Sequence, residues 1–349
     1  GKIQGIVKAL KIYMYLRIYI HVLHMFGNPY YAEKISNALE NIQLPESPKN
    51  LYDPIHYILS LSGKRIRPQL VFMGASLFGY DNLEDVLPAS IAIEYFHNFS
   101  LMHDDIMDKA PLRRGKQTVH QKWNDSVAIL SGDALLVKSY EELSKCPAQA
   151  VPELLKTFNR VALEVCEGQQ HDMDFELRND VSESEYINMI RLKTSVLLGG
   201  ALEMGAIIAG VDALERKKLY DFGVNLGIAF QLQDDILDTF GDPETFGKQV
   251  GGDIIVNKKT ILHIMLKKVL NSDDLIEFES ILSLNESEGI EKVERMKNLY
   301  MKYKIFEQAN ALKGEYSSKS LDSLSAINVS SENKQDLIIL SNNLLNRSK

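Results

Sequence analysis

The chain has 349 residues, of which 45% are hydrophobic and 25% charged, and this excludes a collagenous, low-complexity or disordered polypeptide. Its 39 Lys and Arg against 47 Asp and Glu leave a formal charge of −8, which argues against a surface built to grip nucleic acid. Cys146 and Cys166 are too few for a disulfide framework or a thiolate zinc site and fit a reducing, cytoplasmic setting.

Residues 1–28 form a basic, apolar extension without Asp or Glu, in which Lys2, Lys8, Lys11 and Arg17 interrupt Ile, Tyr, Leu and Met. The stretch is too interrupted to span a membrane and no small-residue cleavage site follows it, so membrane contact is not required. It reads either as a basic amphipathic surface helix or as a packed or poorly ordered N-terminal extension. From residue 29 onward the apolar residues recur at three- and four-residue spacing, most clearly over 85–108, 127–143, 152–170, 183–209 and 213–240. Gly63, Pro111, Gly241 and Pro243 fall between these segments. No sustained alternation marks a strand and no composition break marks a linker; the Ser/Asn-rich stretch 317–333 is the candidate for a mobile connection. The pattern predicts one all-α domain over 29–349.

One internal echo carries chemistry. Residues 102–108 read MHDDIMD and residues 232–238 read LQDDILD, each near the C-terminal end of an apolar helix. On a helix Asp104 and Asp108 project from one face, as do Asp234 and Asp238, and stacked carboxylates repel. The macrodipole disfavours anions at that end as well, so the arrangement invites a cation. All-oxygen ligands without nearby Cys favour Mg²⁺, which completes its shell with water and substrate phosphates. One such motif alone could be a solvated helix end; two on apolar helices point to a shared metal site.

Basic clusters accompany the acids. Lys64, Arg65 and Arg67 stand in four residues before a helix that starts near Pro68; Arg113 and Arg114 follow the first acid motif; Lys248, Lys258 and Lys259 follow the second. Arg and Lys so placed are the usual clamps for phosphate. Residues 241–248 have one spacer too many for a P-loop, and Gln249 stands where Ser or Thr is needed; no G-x-G-x-x-G, H-E-x-x-H or G-x-S-x-G occurs. His103 reads either as a general base or as a hydrogen-bonded packing residue.

The residues Lys64-x-x-Arg67, the run 97–108, Arg113-Arg114-Gly115, Lys193-Thr194, Gln231-x-x-Asp234-Asp235-Ile236-Leu237-Asp238 and Gly247-Lys248 resemble the trans-isoprenyl diphosphate synthases, closest to short-chain bacterial members. Ser62 stands where a second glycine is common. The resemblance implies an antiparallel helical bundle of the isoprenoid synthase type around a deep central cavity, with both acid motifs at its mouth. It implies Asp104, Asp108, Asp234 and Asp238 as metal ligands for about three Mg²⁺ ions with diphosphate bound. Arg113, Lys193, Lys248 and Lys258 would grip the allylic diphosphate; Lys64, Arg67, His97 and Arg114 would hold isopentenyl diphosphate without metal. Thr194 and Gln231 would face the allylic cation, so Lys193, Thr194 and Gln231 are the implied catalytic residues. A homodimer is the family's usual state.

Product length should follow what blocks the cavity below Asp104. Phe99 lies one residue beyond Ser100, about 7.5 Å down the helix from Asp104, and Phe96 is deeper. A bulky Phe99 beneath a small Ser100 resembles synthases of C20 products, with C15 next. The alternatives are a class I terpene cyclase and an inactive regulatory subunit of a heteromeric synthase.

Overall fold

The computed structural model describes residues 28–241 and 250–346; the extension 1–28, apart from Asn28, and Lys248 lie outside the described residues. The elements are α1 (Pro29–Glu40), α2 (Lys49–Ser60), α3 (Ile66–Ser76), α4 (Leu83–Met107), β1 (Leu112–Arg113), β2 (Lys116–Gln117), α5 (Val119–Lys122), α6 (Asp125–Leu143) and α7 (Val151–Glu176). After these come α8 (Glu183–Ile190), a π-helical turn (Arg191–Ser195), α9 (Val196–Ile208), α10 (Ala213–Phe240), α11 (Gly252–Ile255), α12 (Ile261–Val269) and α13 (Ser272–Leu282). A short 3₁₀ turn leads into α14 (Gly289–Lys302), α15 (Ile305–Ser325) and α16 (Gln335–Leu345). The all-α prediction holds, and none of the described helices is long and apolar enough to cross a membrane.

The chain divides into two compact units. The first comprises residues up to Asn159 with Gly200–Lys217 and Asn328–Asn343, and the second comprises Arg160–Gly199, Lys218–Ile327 and the end of the chain. In the first, α3 is buried almost throughout and crosses α9 backbone to backbone. A Cβ on Gly74 would lie 2.1 Å from the Leu202 carbonyl oxygen, and one on Gly205 would lie 2.0 Å from that of Val71, so only glycine permits this approach. The buried face of α4 from Val86 to Met102 closes the same core. In the second, Phe175, Tyr186, Leu232, Ile236, Phe278, Leu299 and Tyr300 form one apolar cluster, with α10 contributing Val224, Ile228, Leu232 and Ile236 at helical spacing.

Side-chain caps fix several helix starts. The Asn124 side chain accepts from the Val127 amide at 2.9 Å to begin α6, and a reciprocal Ser182–Glu185 capping box begins α8. Two expectations need correction. A two-stranded hairpin pairs Leu112 with Gln117 and Arg113 with Lys116, too short to show alternation and closed by positive φ at Arg114 (53°) and Gly115 (75°). The first half of the stretch 317–333 is helical, because its polar residues are used: the buried Ser320 hydroxyl donates to the Phe222 carbonyl at 3.0 Å.

Candidate active site

In the first unit the acid motif ends α4. Asp104 is half-buried and Asp108, the C-cap residue, is exposed, whereas Asp105 between them is turned inward and 1% exposed. Arg113 meets Asp105 with a forked pair of bonds, Nε to Oδ2 at 2.8 Å and Nη2 to Oδ1 at 2.7 Å, and its Nη2 stands 3.7 Å from Asp104. Burial lifts the Asp105 carboxyl and Arg113 draws it back part of the way, while the acids hold Arg113 above its ordinary value.

The residues expected to hold isopentenyl diphosphate converge in this unit. Arg65 adopts a left-handed backbone (φ 47°) and sends its guanidinium inward to the buried Glu94 and to the carbonyls of Leu59 (2.6 Å) and Leu61 (3.0 Å). That anchor shapes the turn from which Lys64 and Arg67 rise, and it removes Arg65 from the pool of phosphate clamps. Arg114 lies against the same turn, donating to the Leu61 carbonyl at 3.2 Å; a Cβ on Gly63 would meet its Cζ at 2.9 Å. Arg67 Nη1 is 3.2 Å from His97 Nε2. Burial first, and then Arg67, Arg114, Arg113 and Arg65, push the His97 imidazole well below its ordinary range, so the ring stays neutral and accepts from Arg67.

Down α4 the ring of Phe96 lies 5.4 Å from Phe158 and 5.6 Å from Phe99, and Phe99 lies 4.8 Å from His103. Phe96 is buried, Phe99 and Ser100 are half-buried, and the Ser100 hydroxyl donates to the His97 carbonyl at 2.8 Å. His103 Nε2 lies 3.0 Å from the Ile129 carbonyl and 3.7 Å from Asp133 Oδ1, and its ring fills the space Gly132 leaves, an arrangement that suits the packing reading.

In the second unit α10 carries Asp234 and Asp238, both half-buried, on either side of Asp235, which is 2% exposed. Asp235 accepts from the buried Tyr186 hydroxyl and from Gln231 Nε2, the latter at 3.2 Å. Burial pushes its carboxyl up to about 7, against the pull of Lys258 and these hydrogen bonds. Lys193 stands in the π-helical turn and pairs with Asp172 of α7 at 2.6 Å, with Thr194 half-buried beside it. The turn can lie this close to α7 because Gly168 has no side chain, since a Cβ there would meet the Lys193 amide nitrogen at 2.2 Å. Such π insertions often mark functional sites. Asp238 Oδ2 accepts the Asp253 amide at 3.0 Å, and Asp253 stands 3.6 Å from Lys258.

Each motif therefore presents two carboxylates on one helix face and turns its middle acid inward. Among the described residues no group of three or more His, Cys, Asp or Glu could hold an ion by itself. Pairs of hard oxygens fit Mg²⁺, which takes one or two carboxylates and finds its remaining ligands in water and phosphate. Sequence reasoning passed over Asp105, Asp172, Tyr186 and Asp253 as partners of the site. The signal for Asp172 was available, as a glycine and a polar residue four apart on α7, and the others depend on packing.

The chain matches the family described as polyprenyl synthetase over residues 48–300. It is 40% identical over 235 residues to a geranylgeranyl diphosphate synthase of Methanosarcina mazei, covering 67% of this chain and 72% of the relative. A crystal structure of a geranylgeranyl pyrophosphate synthase aligns with TM-score 0.85 and 46% identity, covering 92% of this chain and 97% of that one. The geranylgeranyl pyrophosphate synthetase of the archaeon Geoglobus acetivorans aligns with TM-score 0.76 and 32% identity, covering 90% of this chain and 96% of that one. With an archaeal relative this similar, the resemblance to short-chain bacterial members is too narrow; the short-chain class is what these proteins share.

Proposed function

Because the chain belongs to the polyprenyl synthetase family, we propose that it condenses isopentenyl diphosphate with an allylic diphosphate to make an all-trans C20 prenyl diphosphate. The observation that carries this reading is the second anion set. Arg67 meets His97, whose ring burial keeps neutral, and Arg114 lies against Gly63 beside Lys64, in the unit that also holds Asp104 and Asp108. A terpene cyclase, which ionises one diphosphate, has no use for it.

Arg113, Lys193, Lys248 and Lys258 bind the allylic diphosphate, and Lys64, Arg67, His97 and Arg114 orient isopentenyl diphosphate. As the allylic C–O bond breaks, the Thr194 hydroxyl and the Gln231 side-chain oxygen turn their negative ends to the developing carbocation. The double bond of isopentenyl diphosphate supplies the electron pair of the new C–C bond, and the released diphosphate accepts the proton that restores the alkene. Magnesium, about three ions held through Asp104, Asp108, Asp234 and Asp238, would neutralise charge on the leaving diphosphate.

Phe99 and Phe96 set product length beneath the small Ser100, the column of rings supporting C20 over C15. Phe99→Ala should move the product distribution toward longer chains on chromatography, and an unchanged distribution rejects the stopper. The reading includes a single domain, because the family match runs through both compact units, and a cytoplasmic setting, which suits two unpaired cysteines. It also includes a homodimer, supported by the exposed Ile129, Leu130, Val137 and Tyr140 along α6 and tested by sedimentation.

The experiment is diphosphate release with each substrate alone and with both. Release that needs isopentenyl diphosphate, an allylic primer and Mg²⁺ together supports the proposal. Release from the allylic substrate alone means a cyclase, and binding without release means a regulatory subunit.

A further inference from the structure

Lys292 is 1% exposed, and no other described lysine is buried to this degree. Among the described residues its ammonium makes no carboxylate bond. It donates to the carbonyls of Ile255, at 3.0 Å, and Leu284, at 3.1 Å. Burying a cation costs more than burying a methionine of similar length, so the charge is retained for what it holds. Ile255 ends α11, where a carbonyl lacks a partner within its own helix and a lysine satisfies it.

Residues 251–258 bear Asp253 and Lys258, and their ties lead in two directions. Toward the acid motif, the Asp253 amide donates to Asp238 Oδ2 at 3.0 Å. Toward the C-terminal helices, the first turn of α14 forms a bed for the segment. A Cβ on Gly251 (φ 85°) would lie 2.5 Å from Val293, Gly289 gives room for Ile255, and Lys292 takes the Ile255 carbonyl. Asn257, itself at φ 55°, adds a bond from Nδ2 to the Leu282 carbonyl at 3.0 Å. One end of the segment is thus fixed by a proposed metal ligand and the other by a buried cation 37 residues beyond Ile255.

We propose that Lys292 is a positioning residue: by holding the Ile255 carbonyl it fixes α11 so that Asp253 braces Asp238 and Lys258 stands ready for the allylic diphosphate. The inference rests on the proposed function for its kinetic consequence but not for its structural one. It gives α13 and α14, which carry none of the family motifs, a part in the site.

Hydrogen exchange on the full-length, metal-free protein tests it together with steady-state kinetics. Lys292→Met should speed exchange of the Asp253 and Ile255 amides by about tenfold or more while α12 amides are unchanged. It should raise KM for the allylic diphosphate about tenfold and leave KM for isopentenyl diphosphate within about twofold. Asn257→Asp, on the exposed side of the segment, removes the second tie without removing the buried cation and should shift the same readouts the same way, less strongly. If Lys292→Met does not fold, Lys292→Gln, a neutral donor one atom shorter, decides by the same readouts. Unchanged exchange at Asp253 in the deciding variant, or equal rises in both KM values, overturns the proposal. A wild-type protein that elongates no primer overturns the proposed function instead, and the exchange measurement still decides the role of Lys292.

Discussion

The two acid motifs spell almost the same seven residues, yet their middle aspartates are held by opposite means. Asp105 in the first unit is buried as one half of an ion pair with Arg113, eight residues on. Asp235 in the second unit is buried among neutral donors, Tyr186 and Gln231, and its carboxyl is pushed up to about 7. The outward carboxylates are the proposed metal ligands, and the inward one takes the partner its own unit supplies. In the first motif that partner is itself a proposed diphosphate clamp, so the buried acid aims a cation. In the second, the partners are uncharged donors, and burial raises the Asp235 carboxyl well above the ordinary range.

The largest expected effect treats the motifs as equals. Asp104→Ala and Asp234→Ala should each lower Mg²⁺-dependent kcat/KM by at least about 100-fold while leaving the urea unfolding midpoint nearly unchanged. Equal losses of activity and stability would make these aspartates structural. A smaller effect should separate the motifs. At pH 6, Asp105→Asn removes the forked charge partner of Arg113, leaving only Asp104 at 3.7 Å, and should cost about 3 kcal/mol in urea melts. Asp235→Asn replaces a mostly neutral acid by a neutral amide and should cost no more than about 1 kcal/mol. Matching costs would erase the distinction between the two anchors.

The smallest effect concerns protons. In the second unit burial, aided by Lys267 and Lys259, lowers His263 to about 4. Between that value and the ordinary one near 6.5 the unfolded chain binds the proton and the folded one does not, so stability falls as pH falls through this window. From pH 6.5 to 4.5 the loss at this site should be about 2 kcal/mol, and His263→Phe should remove it. His97 in the first unit is depressed for a similar reason and contributes in the same direction, so the variant should flatten the acid limb only in part. An unchanged acid limb in His263→Phe would place its proton elsewhere.

What could be read from the chain alone was whatever is local. The carboxylate pairs and cation clusters lie within a turn or two of each other, and the apolar periodicity of α4, α6, α7 and α10 is strong, so their existence and approximate ends were legible. Arg65 reads as one of the phosphate clamps in sequence because nothing nearby shows that Glu94 waits inside the core. Tyr186 finds Asp235, Lys193 finds Asp172 and Lys292 finds Ile255 only through tertiary packing, across separations where sequence spacing carries no geometric information. The hairpin at Arg113 escaped notice because two-residue strands have no period to read. The division of labour between Asp105 and Asp235 was invisible for the same reason, since the letters around them are nearly identical.

The central claim is chain elongation to a definite length. Purified protein supplied with labelled isopentenyl diphosphate, Mg²⁺ and, in turn, dimethylallyl, geranyl and farnesyl diphosphates should give a dephosphorylated product that runs on chromatography mainly as the C20 alcohol. Absence of any elongated product from all three primers, or a cyclic hydrocarbon formed without isopentenyl diphosphate, would contradict the account.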